Sequence, residues 1–124
     1  MHTHPVVYHR DIRKPNIMRH YNGQGWFLID WMDASTNPTH AATHLTLSEH
    51  SSCVHEEHHG PEVDVWGAGK YMHEVADRVG CKVAKPVAVK QMARRWMEDT
   101  SMSAASALAE IEVGIYHLNI RVIY

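Results

Sequence analysis

Three short apolar runs open the chain: Val6-Val7-Tyr8, Ile17-Met18 and Trp26-Phe27-Leu28-Ile29. Each is too brief for a helix and reads as a strand. The second and third are joined through Asn22-Gly23-Gln24-Gly25, and Asn-Gly between apolar runs predicts an antiparallel hairpin. From Trp31 to Gly60 the chain turns polar, with Ser, Thr, His, Asn and Pro38 and no sustained period. A loop of that length in a compact domain is expected to be functional or disordered.

Pro61 is well placed in a first helical turn, and a helix is predicted over Glu62 to Val79, closed by Gly80. Val63, Val65, Trp66, Ala68, Tyr71, Met72, Val75, Ala76 and Val79 cover most of its circumference, which predicts a central, buried element. A second helix starts at Pro86, with Val89, Met92, Ala93, Trp96 and Met97 on one side and Lys90 and Arg94 on the wet side. Lys82, Lys85, Lys90, Arg94 and Arg95 are expected to form a solvated face. Ser103 is positioned to cap a last helix running to about Val113. Tyr116, Leu118, Ile120, Val122 and Tyr124 alternate as in a terminal strand. The pattern predicts one domain over residues 1–124, mainly α with a small β-hairpin (α+β).

Composition adds little except histidine. A 44% hydrophobic and 21% charged chain of 124 residues is ordinary for one globular domain. A net charge of -2 gives no electrostatic reason to expect nucleic acid or an anionic membrane as partner. The start lacks the basic and apolar regions of a signal peptide, and no apolar run approaches the ~20 residues of a membrane span. Two cysteines, Cys53 and Cys81, make no disulfide framework, so a reducing, intracellular and cytoplasmic setting is expected, with a Cys53–Cys81 bridge as the alternative. Twelve histidines against one phenylalanine would move the charge strongly positive on mild acidification.

Chemistry concentrates in His9-Arg10-Asp11-Ile12-Arg13-Lys14-Pro15-Asn16, where a carboxylate is followed five residues later by a carboxamide. A second acid, Asp30, ends the third apolar run. A base for an acceptor hydroxyl, then an amide and a carboxylate for metal on phosphates, is the order phosphoryl transfer needs. Read in order with Ile29-Asp30-Trp31-Met32 and Glu62-Val63-Asp64-Val65-Trp66-Gly67-Ala68-Gly69, the chain resembles the C-terminal lobe of the eukaryotic protein kinases. These blocks stand where the H-R-D loop, the D-F-G motif and the D-x-W-S-x-G helix belong. The stretch Glu98 to Ala104 faintly echoes D-P-x-x-R-P-S. Ile29-Asp30-Trp31-Met32-Asp33-Ala34-Ser35 resembles in particular the kinase-like proteins of mushroom-forming fungi.

The resemblance covers about residues 6–113 and leaves 114–124 as a divergent tail. It implies that Asp11 orients or deprotonates the acceptor hydroxyl, that Arg13 lies near the transferring phosphate, and that Asn16 and Asp30 hold Mg²⁺ on ATP. Arg10 would anchor a phosphate on the long segment, with Ser35, Thr36, Thr39, Thr43, Thr46 and Ser48 as candidates. Asp64 would fix the catalytic loop by accepting its backbone N–H groups. The departures are a missing Gly-rich loop, a missing N-lobe lysine and glutamate, Met32 in place of the D-F-G glycine, no legible A-P-E, and Met102 in place of the arginine that pairs with it. The expected function is therefore a truncated, pseudokinase-like interaction module or kinase fragment that holds ATP weakly or not at all. It would act through a protein partner or by self-association.

Two other readings attach to the histidines. His55-Glu56-Glu57-His58-His59 satisfies H-E-x-x-H, which on a helix would set His55 and His59 on zinc with Glu56 as base of a hydrolase. Gly60-Pro61 stops such a helix. A non-catalytic, metal- or pH-responsive binding protein built on the loop histidines is the third.

Overall fold

The computed structural model describes residues 5–78 and 86–110. Gly80, Cys81, Lys82 and Lys85, the end of the last helix to Val113 and the strand expected from Tyr116 to Tyr124 lie outside them. The architecture is mixed α/β: two small antiparallel sheets and three helices. Strands β2 (Ile17–Arg19) and β3 (Trp26–Leu28) form the expected hairpin, with Met18 opposite Phe27. Its turn spans residues 20–25, closed by His20 N–H to the Gly25 carbonyl at 3.0 Å. Gly23 and Gly25 there have φ of +74° and +83°, a backbone region costly for any residue with a Cβ.

The second sheet was not predicted. It pairs β1 (Val7–Tyr8) with β4 (Ser35–Thr36), Val7 facing Thr36 and Tyr8 facing Ser35. The long polar segment is thus tied back to the chain start. It also carries a 3-10 turn at Ser52–His55, whose preceding Ser51 accepts the Cys53 N–H. Ala42, Leu45 and Val54 from this segment pack on Val63 as one core cluster, flanked by half-buried Cys53.

Helix α1 (Glu62–Arg78) and helix α2 (Pro86–Glu98) lie against each other. Residues 104–110 form α3, started by Ser103, whose hydroxyl accepts the Ser106 N–H. Val65, Trp96 and Ala107, one from each helix, are the second core cluster, with Met72, Met92 and Met102 packed around them. Expected to be buried all round, α1 is instead buried at Val63, Val65, Gly67, Gly69 and Ala76, while Trp66, Tyr71 and Val75 are half-buried. On the expected solvated face of α2, Arg94 and Arg95 are exposed, but Lys90 is half-buried. Lys90 pairs with Asp77 of α1 and Arg95 with Glu110 of α3, so these cations join helices.

Gly67 decides how α1 meets the rest. A Cβ there would stand 2.6 Å from the Ile12 carbonyl oxygen, and one at Gly69 would stand 2.8 Å from that of Ala93. The helix can therefore touch the H-R-D loop on one side and α2 on the other only because both positions lack side chains. Gly67→Ala is expected to destabilise by about 1–3 kcal/mol, the range for overpacking a fitted contact. Urea unfolding measures this, and an unchanged midpoint would mean that the Ile12 contact is loose. Among the described residues no helix is long and apolar enough to cross a membrane.

Candidate functional site

The loop from His9 to Asn16 is held by buried polar contacts. Arg10 has φ of +67°, a left-handed conformation costing a non-glycine residue about 1–2 kcal/mol. The Asp64 carboxylate offsets it. Its Oδ2 accepts the His9 N–H at 2.8 Å and its Oδ1 accepts the Arg10 N–H at 2.7 Å, across 55 and 54 residues of chain. These are the bonds expected of Asp64. Burial raises the Asp64 pKa above the usual carboxylate value, and the two backbone N–H groups counteract this.

His9 is buried between this loop and the next motif. Its Nε2 faces the Ile29 carbonyl at 3.0 Å and its Nδ1 accepts the Asp11 N–H at 3.2 Å. A carbonyl only accepts, so Nε2 is the donor and Nδ1 the acceptor. Its edge meets Trp31, 4.6 Å between ring centroids. Asp30 lies between Ile29 and Trp31 and is also left-handed, with φ of +59°. Its exposed carboxylate has one long contact, 3.4 Å from the Met32 N–H. The unusual backbone falls on Asp30, whereas Met32, at the expected glycine position, is not left-handed.

Asp11 is buried to 5% exposure and accepts three donors. Arg13 Nε and His50 Nε2 reach Oδ1 at 2.8 and 2.7 Å, and Asn16 Nδ2 reaches Oδ2 at 2.9 Å. Arg13 also binds Glu49 at 2.9 Å, and the hydrogen bond to Glu49, with the charge of Asp11, raises the guanidinium pKa further. Asn16 donates a second bond to the Asp11 carbonyl, so its Nδ2 makes both of its hydrogen bonds and Oδ1 is its remaining acceptor. Its backbone carbonyl accepts the Ile29 N–H at 2.9 Å, which brings the Asp30 strand end beside it.

Asp11, Arg13 and Asp30 line one open cleft of about 590 Å³ together with Asp33, His44, Glu49 and His50. Four carboxylates against one arginine make it acidic. Asn16 lies behind this wall, buried to 4% exposure. Oxygen donors of this kind suit a hard divalent cation better than zinc.

Arg10 is not poised for a phosphate as expected. Its Nε donates to the Asp33 carbonyl at 2.5 Å, and its Nη1 contacts the His40 carbonyl and His59 Nε2. Thr39, one of the candidate phosphate acceptors, is fully buried with its hydroxyl on the His59 carbonyl, whereas Thr43, Thr46 and Ser48 are exposed.

His55 and His59 share no helical face. His55 ends the 3-10 turn, Glu56 is extended, and His58 is left-handed. His55 Nε2 is bonded to the Leu45 carbonyl, and buried His59 bonds the Glu56 carbonyl and Arg10. Among the described residues no group of three or more His, Cys, Asp or Glu side chains is arranged to hold a metal.

His50, Glu49 and Asp33 were missed as site residues. His50 meets Asp11 across 39 residues, and no spacing rule predicts such a contact; a histidine-rich loop was the sole hint. No protein-family model and no solved structure matches the chain. Over 65 residues it is 42% identical to Crinkler effector protein 8 of Phytophthora infestans, a match that takes in 49% of this chain and 11% of that protein.

Proposed function

We propose that the chain is a protein-kinase-like module, equivalent to part of a C-terminal lobe, which keeps a catalytic loop and a cation site but works through a protein partner. The observation that carries the reading is the Asp64 clamp. It shapes the His9–Asp11 turn, and Asp11 lines one cleft with Asp30. In this reading Asp11 receives the acceptor hydroxyl, and Arg13 holds Asp11 in place from the side. Asn16 and Asp30 present oxygen to Mg²⁺, and the bound Mg²⁺–ATP would supply the phosphoryl group and neutralise its charge. An intracellular setting belongs to the same proposal.

The partner surface is the hairpin and its exit, where Met18 and Phe27 share one face and Trp26 stands on the other. Trp26, Phe27, Met18, Trp31 and Met32 all stand open there, Trp26 at 64% and Met32 at 91% exposure. Apolar groups so close together fit a partner or a second copy.

The test is Mn²⁺ titration followed by ¹⁵N NMR. Paramagnetic broadening is expected first at the Asn16 side-chain amide and the Asp30 backbone, and Asp30→Asn should weaken it at least about tenfold. Broadening centred on His40, His44 and His55, indifferent to Asp30→Asn, would favour the metal-responsive histidine reading instead.

A further inference from the structure

His50 carries the next inference, which rests on the role given to Asp11 above. Its imidazole is buried to 9% exposure, and both ring nitrogens face oxygen. Nδ1 is 2.8 Å from the Thr46 carbonyl and Nε2 is 2.7 Å from Asp11 Oδ1. A carbonyl oxygen has no proton to give. Asp11 already accepts from Arg13 Nε on Oδ1 and from Asn16 Nδ2 on Oδ2, as a carboxylate does. A neutral ring would turn a lone pair toward one of these oxygens at hydrogen-bond distance. Both contacts are satisfied only when both nitrogens carry protons.

The neighbouring charges suit an imidazolium. Asp11 lies against it, Arg13 and Glu49 follow in a chain of alternating sign, and Asp30, Asp33 and His44 share the cleft. An ionised carboxylate offers about four lone-pair positions. Arg13, His50 and Asn16 take three, and the position left is on Oδ2. We infer that His50 is a positioning residue: held as an imidazolium by Thr46 and Asp11, it fixes the Asp11 carboxylate so that a single lone pair of Oδ2 is open to an acceptor hydroxyl. The long segment thereby sets the aim of the catalytic loop.

The full ¹⁵N-labelled chain tests this without nucleotide or metal. At about pH 7.5, where an ordinary histidine is mostly neutral, both His50 ring nitrogens are expected to resonate as protonated, assigned by their loss in His50→Gln. Asp11→Asn should return His50 to a single ring proton. His50→Gln should shift the Arg13 Nε–H signal, since both donors share one oxygen, and the double protonation lost in Asp11→Asn is a change that a merely space-filling His50 would not show. A neutral His50 in the unaltered chain overturns the inference, even if Asp11→Asn does not fold. An imidazolium that survives Asp11→Asn, or an Arg13 signal unmoved by His50→Gln, overturns it too. These readings are independent of Mn²⁺, so failure of the cation site and failure of the His50 contact are separately visible.

Discussion

Asp64→Ala is expected to lower stability by about 2–6 kcal/mol and to release the His9–Asp11 turn. The substitution strands two backbone N–H groups in a partly buried position, at about 1–3 kcal/mol each. It also leaves the left-handed conformation of Arg10 without the bonds that offset it. Asp64→Asn should cost less, because one oxygen still accepts while its amide nitrogen faces the other donor. Urea unfolding gives the size, and hydrogen exchange at His9 and Arg10 gives the place. Protection unchanged at those amides would mean that the turn is held by something else.

The same pair has a pH signature. Asp64 has its pKa raised by burial, so the folded chain keeps that proton to higher pH than the unfolded chain. Its titration therefore favours the folded state in acid, and this contribution is lost as pH rises through the raised value. Relative to Asp64→Asn, which cannot titrate there, the unaltered chain should lose stability as pH rises from the usual carboxylate range upward.

The second large effect is catalytic. These 124 residues alone are expected to transfer phosphate from ATP at a negligible rate, with Mg²⁺ or Mn²⁺ present. Phosphoryl transfer is mainly positioning and charge stabilisation. The sequence holds neither a Gly-rich loop before His9 nor a lysine there to meet the α- and β-phosphates. Each loss costs on the order of 3 kcal/mol of barrier, so together they remove about four powers of ten in rate. Radiolabel transfer to a generic protein substrate is the measurement. Turnover abolished by both Asp11→Asn and Asp30→Asn would show that the chain completes its site in another way, for instance by dimerising.

The parts legible in the sequence were those written in local chemistry. Asn22-Gly23 marked the hairpin, Pro61 and Pro86 marked the helix starts, and Ser103 marked the last cap. What escaped has no period to read. Ser35 and Thr36 form a strand only because Val7 and Tyr8 offer an edge. Lys90 looked solvated because a helical wheel does not show that Asp77 stands on the facing helix. Arg10 resembled a free phosphate anchor, yet its acceptors are backbone carbonyls, and a carbonyl leaves no mark in a sequence. His50 is the largest such gap, since its identity as a donor to Asp11 depends on how a polar segment folds back.

The Asp64 clamp also orders events in time. Its partners are separated by more than fifty residues, so the His9 and Arg10 N–H groups gain their carboxylate only once α1 has formed and docked. Closing that much intervening chain carries an entropic cost, so this contact is expected to form after the transition state. Weakening this one should therefore hasten unfolding more than it slows refolding. The last part of the molecule to become native would then be the loop that carries Asp11.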